Sequence, residues 1–355
     1  MRRTASVLAL TALLVAMSPL AASPASARIA RRAVVRCTDC WPTGLAFTPS
    51  GRKMFYVERF SGEIRVHDFE RGTNRLWGRI TNLSTDGEQG LLGIAVHPQW
   101  PSARRIFVYY TAADPFQNRI DRLRWDDDGT PTRDNLVTIV AAGNHNGGVI
   151  HFGSDGRLYA VTGDAGDPSR SQDTASNAGK VLRMTPGGGA PSDNPFAGEY
   201  AFSYGHRNSF GFAFDPQTGR LWQTENGPEC NDELNFSRSG RNYGWGPNAD
   251  CPSTNNSGPT PRIEPEVVWN PVIAPTGAVF CDGCGLGGRV GGRLLVGSWN
   301  DGKIRKLRLD AERNDVVSRR LLFDNSQGVL AVESRPSSHR IFFSDPDGIY
   351  RLVKV

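Results

Sequence analysis

Four short segments carry side chains whose type and spacing suit chemistry. Asn144-His145-Asn146-Gly147-Gly148 sets an imidazole on a polar turn. Thr162-Gly163-Asp164-Ala165-Gly166 closes the strand that follows, and the turn at Ser154-Asp155-Gly156 folds that strand back, so Asp164 returns to the end where His145 begins. A carboxylate beside an imidazole fixes its tautomer and raises its basicity, as a general base requires. Tyr204-Gly205-His206-Arg207-Asn208 offers a permanent cation, Arg207, able to stabilise an oxyanion. Glu225-Asn226-Gly227-Pro228, followed by Asn231-Asp232-Glu233-Leu234-Asn235, is dense in carboxylate and amide oxygens. That composition suits Ca²⁺, although the spacing is not that of an EF-hand. The segment from Asp86 to Gly93 places Glu88 and Gln89 on a turn before an apolar strand. Each segment also has a plainer reading: a loop histidine, a surface arginine, an acidic turn.

A repeat positions them. Gly or another small residue, an alternating apolar strand, a turn and a second strand recur from Gly44, Gly90, Gly148, Gly211, Gly277 and Gly328. The spacings are 46, 58, 63, 66 and 51 residues. Period-two alternation buries one face of each strand, and a lone hairpin has nothing to bury it against. Stacking six copies in a ring solves this, so the expected fold is all-β, a six-bladed β-propeller. The longer spacings predict insertions at residues 112–146, 164–209 and 227–276, gathered as loops around the axial channel. A β-sandwich array fits six regular copies less well.

The rest of the chain bounds the setting. Residues 1–27 read as a signal peptide: Arg2 and Arg3, an apolar run, then Ala25-Ser26-Ala27. The mature chain would be a single domain over 28–355, secreted, with no membrane span. Removing Arg2 and Arg3 leaves 39 basic against 36 acidic residues, a formal +3. Spread along the chain, so small an excess does not argue for nucleic acid. The six cysteines, two pairs of them C-x-x-C (Cys37/Cys40 and Cys281/Cys284), favour disulfides in an exported chain. A four-cysteine zinc site is the alternative.

The motifs together resemble the soluble quinone-dependent glucose/sorbosone (aldose sugar) dehydrogenases. The resemblance rests on His145-Asn-Gly-Gly with Gly163-Asp164-Ala-Gly, Asn177-Ala-Gly-Lys-Val-Leu-Arg183, Gly205-His-Arg-Asn208, Glu225-Asn-Gly-Pro228, Asp232-Glu-Leu-Asn235 and Gly240-Arg-Asn-Tyr-Gly-Trp245. It covers about residues 40–353, in order. It implies pyrroloquinoline quinone (PQQ) in the axial channel, an aldose above it and an external electron acceptor. His145 would take the anomeric proton, Asp164 would orient His145, and Arg207 with Asn208 would face the quinone oxygen. Carbonyls of Gly227 and Pro228 would hold a Ca²⁺, and Glu233 and Tyr243 resemble parts of a second, structural Ca²⁺ site.

The sequence departs from the family where basic residues hold the cofactor's three carboxylates. Asn300 aligns with an expected Lys, and Asn325 and Gln327 with two expected Arg. At the cofactor-contacting amide stands Glu88, with Gln89 next to it. Lys303 and Arg305 lie close in sequence, on the following strand. A second reading therefore keeps the propeller but not the quinone: a non-catalytic chain that binds a sugar, a glycan or a protein.

Overall fold

The computed structural model describes residues 28–125, 131–247 and 260–355. The expected signal segment, residues 1–27, and Cys251 lie outside the described residues. Six four-stranded antiparallel sheets form the blades of a propeller. Blade one runs over residues 42–79, blade two 91–139, blade three 150–204, blade four 211–269 and blade five 275–324. Blade six takes three strands from residues 331–354, and its outermost strand is Ile29–Arg36 from the other end of the chain. That strand pairs with Gly348–Lys354, and Arg28 and Val355 exchange backbone hydrogen bonds of 3.1 and 2.9 Å. The ring is thus closed by hydrogen bonds between its two ends.

Each of the six sequence copies became the first two strands of one blade. Those strands are buried on both faces, against the neighbouring blades; Phe55, Val66, Leu91, Ile94 and Val108 form such a layer between blades one and two. Innermost strands approach so closely that some positions admit only glycine. A Cβ on Gly93 would lie 2.1 Å from the carbonyl oxygen of Gly148, and one on Gly211 would lie 1.9 Å from that of Thr276. The repeat's glycine is therefore a packing requirement between blades.

The expected insertions are mostly not loops. Residues 112–146 contain the outer strands Gln117–Trp125 and Pro131–Ile139 of blade two. Residues 164–209 contain Lys180–Met184 and Ala201–Tyr204, and residues 227–276 contain Asp232–Ser237 and Val267–Trp269. An outermost strand packs on one neighbour only, so its alternation fades: Thr73–Arg79 is exposed at four successive positions. Cys37–Cys40 and Cys281–Cys284 are each bonded within the pair, and Cys230 is also disulfide-bonded, which excludes the four-cysteine zinc site.

Six inner strands line the axial channel, and at one end of it His151 Nδ1 stands 3.7 Å from Glu333 Oε2. Burial pushes the imidazole down to about 4 and the carboxyl up to about 7, so both are neutral near pH 6. A carboxyl raised from 4.5 stabilises the fold below about pH 4.5 relative to alkaline pH, and that contribution is lost as the pH rises through about 7. Glu333→Gln should accordingly raise the melting temperature at pH 8, by an amount corresponding to ~3 kcal/mol, and leave it nearly unchanged at pH 4. Scanning calorimetry at the two pH values checks this, and equal shifts at both would refute it.

Candidate active site

His145 stands on the turn leading from blade two into blade three, with φ of 56°, and Gly147 and Gly148 that follow are also at positive φ. The turn is pressed against the end of the neighbouring strand: a Cβ on Gly147 would lie 2.6 Å from the Val161 carbonyl oxygen. His145 Nδ1 meets Asp164 Oδ1 at 2.7 Å. Asp164 is fully buried and accepts two further hydrogen bonds, from Gly166 N at 2.8 Å and Trp245 Nε1 at 2.7 Å. So held, the carboxylate accepts a hydrogen bond from Nδ1–H and leaves the Nε2 lone pair of His145 free; Nε2 makes no hydrogen bond among the described residues.

Arg207 is built into the same unit. Its carbonyl accepts from Asp164 N at 2.8 Å, and its own N–H donates to the Glu225 carboxylate. Its Nη1 donates to the carbonyls of Asn226 at 3.0 Å and Gly227 at 2.8 Å, and the guanidinium lies 5.3 Å over the Trp245 ring. Burial lowers its pKa, opposed by Asp164, Glu88, Glu225 and Asp232, so the cation is one the fold has neutralised only in part. Asn208 donates from Nδ2 to Glu88 Oε2 at 3.0 Å, and the same oxygen accepts His145 N at 2.6 Å. Glu88 thereby joins the His145 turn to the Arg207–Asn208 segment.

An open cleft of about 390 Å³ is lined by Glu88, Gly147 and Asn226 together with Trp41, Trp299 and Asn300. That volume falls in the range of small-molecule sites. Arg59 also lines it, gripping the carbonyls of Gly87 and Gln89 and so fixing the turn that carries Glu88.

The other expected residues fall as follows. Gln89 is buried and spent on the fold: Nε2 donates to Ala142 O at 2.9 Å and Oε1 accepts from Ser84. Asn300 is exposed on the cleft wall with one long contact, 3.4 Å to Val272 O. Lys303 and Arg305 are both paired with Asp301. Asn325 is buried, donating to Asp345 at 3.0 Å and accepting from Arg31, and Gln327 donates to Asp347 at 3.1 Å. Gly227 sits where a Cβ would lie 2.0 Å from Cys230 O, and its N–H donates to Asp232 at 2.9 Å; Pro228 follows on the same turn. Glu233 faces Glu225 across adjacent strands, and burial, then the Glu225 charge, hold its carboxyl well above the usual range. Tyr243 spends its hydroxyl on Phe236 O at 2.5 Å and Arg238 N at 2.9 Å, and its ring stacks on His206 at 4.8 Å. No three His, Cys, Asp or Glu side chains converge as a metal cluster among the described residues.

Three residues of the quoted motifs have no role assigned from the sequence. Trp245 closes over Asp164 and Arg207 from 81 residues away. His206 is wholly buried between Glu225 at 2.8 Å and Ser203 at 2.9 Å, a serine–histidine–glutamate chain sealed from substrate that holds Glu225 under Arg207. Lys180, pushed down to about 7 by burial, donates to the carbonyls of Arg170, Ser171 and Ala178 and so ties down the loop after Asp164.

The profile of the glucose/sorbosone dehydrogenase family matches residues 40–352. The chain belongs to that family. The aldose sugar dehydrogenase YliI of Escherichia coli is 26% identical to it over 336 residues, 88% of this chain and 89% of the relative. A PQQ-bound aldose sugar dehydrogenase from Streptomyces coelicolor superposes with a TM-score of 0.79 at 30% identity, covering 94% of this chain and 100% of the other. The soluble aldose sugar dehydrogenase of E. coli in its apo form superposes at 0.76 and 25% identity, covering 92% and 99%. The relatives and neighbours are oxidoreductases, and in this chain His145, Asp164 and the Arg207 segment form one hydrogen-bonded unit joined to the cleft through Glu88.

Proposed function

We propose that the chain is a secreted, PQQ- and Ca²⁺-dependent dehydrogenase that oxidises the anomeric hydroxyl of an aldose to the lactone. The observation that carries this reading is the His145–Asp164 pair, joined by the main-chain bond from Asp164 to Arg207 and by Glu88, which lines the cleft. His145 Nε2 accepts the hydroxyl proton. Asp164 keeps Nδ1–H in place and stabilises the imidazolium that forms. Arg207 supplies positive charge where negative charge develops, and its partial burial strengthens that effect. Trp245 covers the buried side of Asp164 and keeps water from competing for the carboxylate. The quinone, when bound, supplies the two-electron acceptor.

The residues present fit such a group on the blade-three and blade-four side, where base, cation and amide are already fixed by the fold. They also suit an oxygen-liking cation. The Gly227 and Pro228 carbonyls would hold Ca²⁺ only once Arg207 releases the Gly227 carbonyl, to which it donates at 2.8 Å. Around Glu233, the buried oxygens Glu233 Oε1, Asn235 Oδ1 and Gln223 Oε1 have no hydrogen-bond partner, as a structural Ca²⁺ would require. The blade-five residues favour the second reading, a propeller that binds a sugar, glycan or protein without catalysis: Asn300 stands there where a cation is expected, and Lys303 and Arg305 are spent on Asp301.

Aldose oxidation with an artificial electron acceptor separates the two. Protein supplied with PQQ and millimolar Ca²⁺ should turn over an aldose to its lactone, and a chelator added before the quinone should abolish it. Absence of lactone under every metal and quinone condition would leave the binding propeller.

A further inference from the structure

We propose a second binding site, on the outer face of blade five, that takes a linear polyanion of repeating phosphate groups. The strands Lys303–Leu309 and Val316–Asp324 pair there with Lys306 directly opposite Arg320 and Arg308 opposite Ser318. With Arg289 and Arg293 from the preceding turn, these residues line one groove: five cations, one hydroxyl and no carboxylate. Lys306 and Arg293 are half-buried in it. None of the five cationic side chains makes a hydrogen bond or ion pair among the described residues. Like charges placed directly across a strand pair are destabilising, and half-burial weakens the screening that would relieve them.

Elsewhere the fold neutralises such groups. On the opposite face of the same strand Lys303 and Arg305 both pair with Asp301. Arg122, Arg183 and Arg313 likewise meet carboxylates. The groove contains no such carboxylate. It also continues: a second depression shares Arg289 and Lys306 and leads to Arg28 and Lys354, with Asp324 its single carboxylate.

The spacing selects the ligand. Neighbouring strands lie about 4.8 Å apart and same-face residues along a strand about 6.6 Å apart, so the cations form a grid with steps of roughly 5–7 Å. Successive oxyanions of a chain meet such a grid, whereas one small ion would leave most of the charge uncompensated. Four of the five cations are arginines, whose planar fork suits phosphate oxygens. The first groove holds no aromatic ring on which a base could stack, so a plain phosphate chain fits better than single-stranded nucleic acid. Arg293 precedes the strand Leu294–Ser298 at the end away from Trp299 and Asn300, so an occupied groove leaves the cleft open. The site would tether the protein to a phosphate-bearing polymer while the cleft works.

Fluorescence anisotropy of labelled inorganic polyphosphate tests this without reference to the dehydrogenase activity. Wild-type protein should bind, with affinity falling steeply as salt rises. The double variant Lys306→Gln/Arg320→Gln should bind at least tenfold more weakly, with a log–log salt slope smaller by about 2. It removes a like-charge pair, so its melting temperature should match or exceed wild type. Arg75→Gln/Arg104→Gln, which removes the same charge from exposed positions outside the groove, should bind as wild type does. No binding by wild type at low salt overturns the proposal. So does an equal loss in both double variants, which would reduce the effect to net charge. Tighter binding of poly-glutamate than of polyphosphate, or binding to anionic phospholipid vesicles without binding to the free chain, overturns the phosphate-polymer assignment.

Discussion

Replacing His145 should lower aldose turnover by about 10²–10⁴-fold, the usual contribution of a positioned general base. PQQ affinity and melting temperature should stay close to wild type. The backbone at 145 is left-handed, a conformation that Asn tolerates better than Ala. His145→Asn is therefore the cleaner variant, and His145→Ala its companion. Both remove Nε2 as a base, while the turn keeps its anchors: the main-chain bond from residue 145 to Glu88 and that from Ala165 N to the residue 145 carbonyl at 3.1 Å. Steady-state rates with saturating quinone and Ca²⁺ give the answer. A loss smaller than tenfold in both variants would mean that the proton leaves by another route.

Asn300→Lys should act on the cleft lining, tightening PQQ binding by about 10–100-fold, since one charge-assisted bond contributes roughly 1.5–3 kcal/mol. The site can accept the change. Asn300 is exposed and holds only a 3.4 Å contact, so no packed group is lost. The nearby Asp301 is already shared by Lys303 and Arg305, which leaves a new ammonium free to face the cleft. The rate at saturating quinone should not change, because Asn300 touches neither the base nor its carboxylate. Titration of both proteins with PQQ measures the difference, and an unchanged or weaker affinity would show that position 300 faces no acid group of the cofactor.

What the sequence disclosed depended on which contacts were local. The inner two strands of each blade read as apolar runs because both faces are packed, and all six were legible. The outer strands were not, because strands such as Thr73–Arg79 pack on one side and look like polar loops. The meeting of His145 and Asp164 followed from one hairpin turn. Trp245 did not, since it reaches Asp164 through a separate blade. Glu88 and Gln89 could not be ranked by spacing: the fold turns Glu88 to the cleft and spends Gln89 on Ala142 and Ser84. Charge misled in a similar way. The basic excess looked dispersed along the chain, yet strand pairing gathers five unpaired cations in one groove.

The measurement closest to the centre of the account is calorimetric titration of the purified protein with PQQ in the presence of Ca²⁺. The His145–Asp164–Arg207 unit, fixed by the fold before any cofactor arrives, predicts saturable binding at one quinone per chain, lost when Ca²⁺ is chelated. Affinity should be weaker than a complete three-cation clamp would give and should recover in Asn300→Lys. Absence of saturable binding in both proteins at millimolar Ca²⁺ would contradict the account and leave the chain a propeller that kept its catalytic floor without its quinone.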